Sequence, residues 1–98
     1  MNQKTLGKLI KQEDRLKDGY IYSYQLTMRE GRSTVDWRMP LYSIKVDMTD
    51  LEGNTTTADA KDIFSSMDKA IQLFDKIVRN LATPIDLAYI VEDELEYL

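Results

Sequence analysis

Two short amphipathic segments at the carboxyl end constrain the fold of this chain more than any other feature. The first runs from Ser65 to about residue 81, and its apolar residues recur every three or four positions, as on one face of a helix. The second begins at Thr83-Pro84, where threonine suits an N-cap and proline suits the first helical position. We therefore predict helices over about residues 66–81 and 84–97, joined by a sharp turn.

Each predicted helix has a polar cap at its start and an apolar stripe along one face. Ser65 is the predicted N-cap of the first helix, and Asp68 stands three residues later, as in a capping box. Thr83 is the predicted N-cap of the second helix, and Asp86 adds a favourable negative charge in its first turn. The residues predicted to form the stripes are Ala70, Ile71, Phe74, Ile77, Val78 and Leu81 in the first helix, and Ile85, Ala88, Val91 and Leu95 in the second, flanked by Leu87, Ile90 and Leu98.

The preceding part of the chain has the two-residue periodicity of β-strands. Residues 20–29 alternate between an aromatic, apolar face and a polar face, which predicts a half-buried strand. Residues 41–49 predict a second strand, and residues 34–39 predict a shorter extended piece that leads into it. Pro40 between them indicates a bulge, a strand start or an edge, because proline cannot donate to a ladder. Residues 55–62 predict a solvent-exposed edge strand.

The amino-terminal segment fits two interpretations. Leu6, Leu9, Ile10 and Leu16 approximate helical spacing, whereas Leu6, Lys8 and Ile10 alternate as in a strand. Gly7 weakens a helix by ~1 kcal/mol relative to alanine, so we predict a strand over about residues 4–12. Turn signals separate the predicted strands at Asp18-Gly19, at Glu30-Gly31-Arg32-Ser33 and at Leu51-Glu52-Gly53-Asn54.

These segments predict an α+β fold in a single domain, residues 1–98, that is β-rich over residues 1–63. We expect a three- to four-stranded antiparallel β-meander followed by a C-terminal α-helical hairpin packed on one sheet face, because the two apolar layers then share one core. The chain is long enough for one modest core. The residues predicted to lie in it are Tyr24, Leu26, Ile44, Val46, Ile71, Phe74, Val78, Ile85, Val91 and Leu95.

The composition excludes several classes of site. There is no cysteine and no histidine, so a disulfide framework and zinc sites of the thiolate or imidazole kind are impossible. No histidine can activate a serine or threonine nucleophile, and the four glycines are isolated, unlike those of a phosphate-binding loop. We therefore expect no catalytic residue, cofactor or metal, although chemistry based on lysine or on two carboxylates stays open.

Apolar segments in this chain are short. None approaches the roughly 20 residues that span a bilayer, and the terminus Met1-Asn2-Gln3-Lys4 lacks the apolar core of a signal peptide. We therefore expect a cytoplasmic protein with no membrane partner.

Acidic residues without any basic neighbour dominate the last sixteen positions of a chain whose net charge is −4. Carboxylates near a helix C-terminus oppose its dipole, and this unfavourable placement points to a partner with a basic surface. The candidate residues are Glu92, Asp93, Glu94 and Glu96. A loosely held divalent cation is a second interpretation, although the spacing is not that of a calcium loop. The simplest interpretation is a solvated face that aids solubility.

Aromatic residues offer an alternative recognition surface. Tyr20, Tyr22 and Tyr24, with Trp37 and Tyr42, would form a stripe on the sheet, on which single-stranded bases could stack. Such a surface requires nearby basic side chains, and strand 20–29 offers only Arg29. An acidic chain repels phosphates, so nucleic acid is an unfavourable partner. The competing interpretation places these rings beneath the two helices. A homodimer through an exposed sheet edge or this stripe remains open.

Four stretches carry a resemblance to a known family. They are Leu41-Tyr42-Ser43-Ile44-Lys45-Val46, Asp62-Ile63-Phe64-Ser65, Asn80-Leu81-Ala82-Thr83-Pro84-Ile85-Asp86-Leu87 and Val91-Glu92-Asp93. Over about residues 20–97 the chain resembles a family of short uncharacterised proteins of Gram-positive bacteria that end in a Thr-Pro…Leu…Glu-Asp helix. Ser43, where the resemblance suggests glycine, and Asp86, where it suggests a polar or basic residue, depart from it. The resemblance implies a domain of unknown function with this architecture, and no reaction, ligand or partner.

The sequence favours a small non-catalytic protein-interaction or regulatory module. A single-stranded nucleic-acid binder that uses the tyrosine-rich sheet face is the alternative.

Overall fold

Four antiparallel strands form one sheet in the order in which they occur in the chain. The computed structural model describes residues 7–32 and 38–95. The strands are β1 (Lys8–Lys17), β2 (Tyr20–Arg32), β3 (Arg38–Thr49) and β4 (Thr55–Phe64), and each pairs with the next. The helices α1 (Met67–Arg79) and α2 (Pro84–Leu95) follow and pack on one face of the sheet. The predicted α+β fold is confirmed.

A tight turn connects β1 and β2. Asp18 and Gly19 both have positive φ angles, 55° and 84°, as a two-residue hairpin turn requires, and Asp-Gly is a favoured sequence for it. The predicted first strand exists but is displaced, because it spans Lys8–Lys17 rather than residues 4–12, of which 4–6 lie outside the described residues. A register shift between Leu9 and Lys11 leaves Ile10 as a bulge.

The pairing of β2 with β3 is longer than the sequence suggests. It runs without interruption from Ile21↔Thr49 to Arg32↔Arg38, so the turn predicted to begin at Glu30 is wrong up to Arg32. Ser33 and residues 34–37 lie outside the described residues. Pro40 lies inside β3, opposite Glu30 and beyond the last described pair with β4, Tyr42↔Phe64. Proline is tolerated there because β3 lacks a described neighbour on that side.

Local hydrogen bonds define the start of both helices. The N-cap of α1 is Ser66, whose Oγ accepts from the Lys69 N–H at 3.3 Å; the predicted cap, Ser65, lies one residue too early. At α2 the Thr83 N–H donates to Asp86 Oδ2 at 3.1 Å, and the Asp86 N–H donates to Thr83 Oγ1 at 3.2 Å. This reciprocal pair is a capping box, and it confirms Thr83 as the N-cap.

The turn between the helices sets the direction of α2. After α1 the chain adopts a positive φ of 52° at Leu81. The Leu81 N–H donates to the Val78 carbonyl, and the Ala82 N–H donates to the Ile77 carbonyl. This is the hydrogen-bond pattern of a Schellman motif, here with leucine in the position that glycine usually occupies. It satisfies the last carbonyls of α1 and brings Ala82 and Pro84 against the sheet, where both are buried.

The core lies between the helices and one face of the sheet. Tyr24, Leu26, Ile44, Val46, Phe74, Val78 and Val91 are buried, as predicted, and Tyr42, Phe64, Ala70, Leu73, Ile77, Ala82 and Leu87 are buried with them. Ile71 is half-buried at the edge of this core. The prediction is wrong for Ile85 and Leu95, whose exposed fractions are 73% and 39%. Pro84 and Leu87 join Val91 on the buried side of α2 instead, so the buried face is turned by roughly 60° from the predicted stripe.

The remaining contacts attach the first strand to the helical layer. Lys11 Nζ bonds Asp75 Oδ1 of α1 at 3.0 Å and lies 5.8 Å from the centre of the Phe74 ring. Across the described ranges, neither helix combines the length and the apolar character needed to cross a membrane.

Candidate functional site

The solvent-facing side of α2 carries an apolar stripe. Ile85 and Tyr89 are 73% and 69% exposed, and they lie one helical turn apart. Ala88 is also exposed and lies three residues after Ile85, which places it beside Ile85 on the helix surface. Leu95, 39% exposed, lies four residues after the buried Val91, at the edge of the inward side and outside this stripe. Large apolar side chains grouped in this way on one face are typical of a binding surface.

Burial on the opposite side of α2 explains this exposure. Pro84, Leu87 and Val91 face the sheet, chiefly over β4, and are all buried. A helix that places these three positions inward must place Ile85 and Tyr89 outward, since one residue corresponds to about 100° of rotation. The second helix is therefore apolar on two sides, and only one side has a partner among the described residues.

Acidic side chains border the stripe. Asp86, Glu92 and Asp93 are exposed, and Glu92 lies three residues after Tyr89, so it shares the same outward face. No ion pair is formed by Glu92 or Asp93 within the described part of the chain. We call Ile85, Ala88, Tyr89, Glu92 and Asp93 the α2 outer face. It is apolar at its centre and negatively charged at its border.

The described residues of the predicted acidic cluster do not all lie on one face of α2. Glu92 and Asp93 belong to the α2 outer face, whereas Glu94 points toward α1, where its carboxylate lies 3.7 Å from Lys76 Nζ. Glu96 lies outside the described residues. Over residues 7–32 and 38–95, no three acidic side chains come close enough to hold a metal ion. Of the four predicted residues, Glu92 and Asp93 therefore lie beside the apolar residues of the α2 outer face.

The tyrosine row runs from the core to the open end of the sheet. Tyr24 is fully buried, and its hydroxyl donates to the Ala82 carbonyl oxygen at 2.9 Å. Burial, with a smaller effect from Tyr22, raises the pKa of Tyr24 to about 12. The Tyr22 ring is parallel to it, 6.4 Å away between centroids, and half-buried. Tyr20 follows, 39% exposed and tilted by 58° to Tyr22.

This arrangement separates the rings of the alternative surface. Tyr24 packs beneath the helices and offers no ring face to a ligand, whereas Tyr20 offers one. Trp37 lies outside the described residues. The basic side chain nearest in register to Tyr22 is Arg15, which pairs with Glu13 at 3.1 Å.

Sequence reasoning missed Tyr89 as a surface residue. The Thr83 cap fixes where α2 begins, but it does not fix which side of the helix faces the sheet. Apolar spacing alone predicts that side. The signal that could have corrected it is Pro84 itself, since its apolar ring shares one helix face with Leu87 and Val91, three and seven residues later. Because α2 has apolar residues on two sides, helical periodicity is compatible with either side facing the sheet.

Comparison with known proteins identifies a family and nothing further. The model of a family of unknown function, DUF6514, matches residues 3–96. No curated protein matches the chain, and no solved structure does.

Proposed function

We propose that this chain, which belongs to the DUF6514 family of unknown function, is a non-catalytic protein-interaction module that binds a basic amphipathic segment of another protein through the α2 outer face. The observation that carries the proposal is the exposure of Ile85 and Tyr89, 73% and 69%, one turn apart on a helix whose other side is buried. Leaving this apolar area in water is unfavourable by about 25 cal/mol per Å².

Geometry suggests how a partner would lie. From Ile85 to Asp93 the α2 outer face rises about 12 Å at 1.5 Å per residue, which is the length of roughly two turns of a partner helix. Apolar residues at a spacing of three and four on the partner would pack against Ile85 and Tyr89. Lysine or arginine residues beside them would reach Glu92 and Asp93.

Charge complementarity disfavours a second copy on this surface. A symmetric dimer through α2 would bring Asp86, Glu92 and Asp93 of both copies together, because the same patch meets itself across a twofold axis. α2 has no basic residue in its last turn to offset these charges. A basic partner removes this repulsion and adds attraction, so the border of the surface selects for it.

The alternative function, binding of single-stranded nucleic acid, has weaker support. It needs several exposed rings beside basic side chains, and the described part of the tyrosine row exposes chiefly Tyr20. The α2 outer face adds negative charge, which opposes a phosphate backbone.

The test uses two synthetic peptides of equal length and a labelled full-length protein. One peptide carries a leucine stripe with flanking lysines, and the other carries glutamate at every lysine position. We expect the lysine peptide to shift the backbone NMR signals of residues 85–95 saturably, and the glutamate peptide to leave them unchanged. Equal responses to both peptides, or shifts confined to other elements, would contradict the proposal.

Variants then connect the surface to a cellular partner. Ile85→Ser with Tyr89→Ser removes the stripe, and Glu92→Lys with Asp93→Lys reverses the border. Leu51→Ser is the matched control, because Leu51 is an exposed apolar residue, 86% exposed, at a sheet turn remote from α2 in sequence. A partner recovered from host cells by wild type and by the control, and lost in both surface variants, supports the proposal.

We propose a cytoplasmic location, since a small domain without cysteine suits a reducing compartment, and fractionation of host cells tests it. We also propose that family members come from Gram-positive bacteria and share the Thr-Pro…Leu…Glu-Asp ending, which an alignment of their sequences would check.

A further inference from the structure

The sheet face opposite the helices carries a shallow polar cavity. Its volume is about 230 Å³, and its lining includes Arg29, Ser43, Lys45, Lys61 and Asp62. Strand register explains the grouping, because Thr27 lies opposite Ser43 and Lys45 lies between Gln25 and Asp59. Directly paired residues on neighbouring strands project to the same face, so three strands contribute to one surface.

An irregularity in β4 builds one wall of this cavity. Between the pairs Ile44↔Ala60 and Tyr42↔Phe64, residues 61–63 of β4 lie opposite Ser43 alone. Asp62 there has a φ of 56°, in the left-handed region, which is unfavourable for a non-glycine residue and persists only where surrounding contacts hold it.

Three hydrogen bonds hold Asp62 in this conformation. Its backbone N–H donates to Ser43 Oγ at 2.9 Å. Its carboxylate accepts from Arg29 Nε at 3.1 Å and from Arg29 Nη2 at 2.7 Å. The two-pronged contact orients the guanidinium plane, because a fork of two parallel bonds permits one geometry. These bonds fix the geometry of this wall of the cavity in the structure, and the Asp62 carboxylate is already paired with Arg29.

Unused hydrogen-bond donors remain beside that wall. Among the described residues, Lys45 and Lys61 make no ion pair and no side-chain hydrogen bond, although Asp59 is the direct cross-strand neighbour of Lys45. The Ser43 hydroxyl accepts from Asp62 and has no described acceptor for its own hydrogen. The charges of Arg29 and Asp62 cancel because the two side chains pair with each other. The charged groups left in the lining are the ammonium groups of Lys45 and Lys61 and the carboxylate of Asp59.

From this arrangement we infer that the cavity binds a small oxyanion, with Lys45 and Lys61 as its charge partners and the Ser43 hydroxyl as a further donor. Lysine ammonium groups bind phosphate and carboxylate as point charges. The volume is below the roughly 300–1,000 Å³ of cavities for drug-sized ligands, so the ligand is a phosphate or carboxylate group on a small molecule. The site lies on the sheet face away from α2, and its failure would leave the proposed protein interaction untouched.

The test is an NMR titration of the full chain with inorganic phosphate, and separately with succinate, at ionic strength held constant with chloride. We expect saturable shifts in the backbone signals of Ser43, Lys45 and Lys61 with at least one of the two anions. Saturation with phosphate alone assigns a phosphate ligand, and saturation with succinate alone assigns a carboxylate ligand. No saturable shift with either anion would overturn the inference.

Paired variants separate a built site from general screening of charge. Lys45→Gln with Lys61→Gln should weaken binding at least tenfold. The charge-matched control, Lys17→Gln with Lys69→Gln, removes two exposed lysines that do not line the cavity, and it should bind as wild type does. Equal weakening in both double variants would show a non-specific response and refute the site. Retained dispersion of the amide spectrum checks that each variant is folded.

Discussion

The hydroxyl of Tyr24 in β2 donates to the carbonyl oxygen of Ala82, at a distance of 2.9 Å, between the two helices. These residues are 58 positions apart in sequence, and their bond ties the turn that orients α2 to the centre of the sheet. Both are buried, so the bond forms away from water, where an unpaired carbonyl is costly. Together with the packing of Pro84, Leu87 and Val91 on the sheet, it relates the orientation of α2 to β2.

Removal of this hydroxyl should destabilise the fold in a pH-dependent way. Tyr24→Phe should lower the free energy of unfolding at pH 7 by about 1–2 kcal/mol, because the Ala82 carbonyl loses its donor. Burial raises the pKa of Tyr24 to about 12, above its value of about 10 in the unfolded chain. The neutral phenol therefore stabilises the fold fully below about pH 10, and this contribution is lost as the pH rises through about 12.

The measurement is urea unfolding of wild type and Tyr24→Phe at pH 7 and at several values above 10. The difference in free energy of unfolding between the two proteins should narrow above pH 10. Ionisation of Tyr24 removes from wild type the hydroxyl donor that the variant already lacks. A constant difference in free energy of unfolding would show that folding does not raise the pKa of Tyr24.

A matched pair of alanine substitutions tests the rotation of α2. Leu87 is buried and Ile85 is 73% exposed, although the two residues have the same number of carbon atoms and lie in the same helix. Leu87→Ala should cost about 2–5 kcal/mol, whereas Ile85→Ala should change stability by less than about 0.5 kcal/mol. Thermal or urea unfolding measures both, and a larger loss for Ile85→Ala would restore the stripe expected from periodicity.

Phe74 should be a major contributor to the core. It is fully buried in α1, beneath the Lys11 ammonium at 5.8 Å from the ring centre. Phe74→Ala should cost about 3–5 kcal/mol, because it removes a large buried side chain and leaves a cavity. Gln72→Ala, at an exposed position of the same helix, is the control for helix propensity. A decrease of less than about 1 kcal/mol in the free energy of unfolding of Phe74→Ala would contradict a central role for this ring in the core.

Asp50 should make the turn between β3 and β4 sensitive to acid. Hydrogen bonds from Asn54, chiefly from its backbone N–H, hold the pKa of this carboxyl below its ordinary value. A depressed pKa means that the ionised form stabilises the fold at neutral pH, and that this contribution is lost as the pH falls below about 4.

The check on Asp50 is a comparison with Asp50→Asn, which keeps the acceptor oxygen and removes the titration. Wild type should lose stability relative to the variant as the pH is lowered from 6 to about 2, measured by urea unfolding. Parallel curves for the two proteins over this range would show that the turn does not depend on the charge.

Local features of this fold could be read from the sequence, because their causes span only a few residues. The Thr83–Asp86 capping box and the Asp18-Gly19 turn involve residues at most three apart. The alternation along residues 20–29 reports one buried sheet face and one open face, because successive side chains of a strand point to opposite faces. One error within this group, Ser65 for Ser66, is a shift of one residue between two adjacent serines.

Features that depend on distant residues could not be read in this way. Tyr24 and Ala82 meet only after the sheet and helices have packed, and their contact belongs to the turn that directs Pro84 inward and Ile85 outward. Likewise Arg29, Ser43 and Asp62 become neighbours through strand pairing and a bulge. The sequence by itself determined the main strands and both helices, the Thr83 cap and the Asp18-Gly19 turn, because short-range geometry dictates them. Only the tertiary structure decided which side of α2 meets water and which donors line the open sheet face, because those outcomes arise from contacts between elements far apart in the chain.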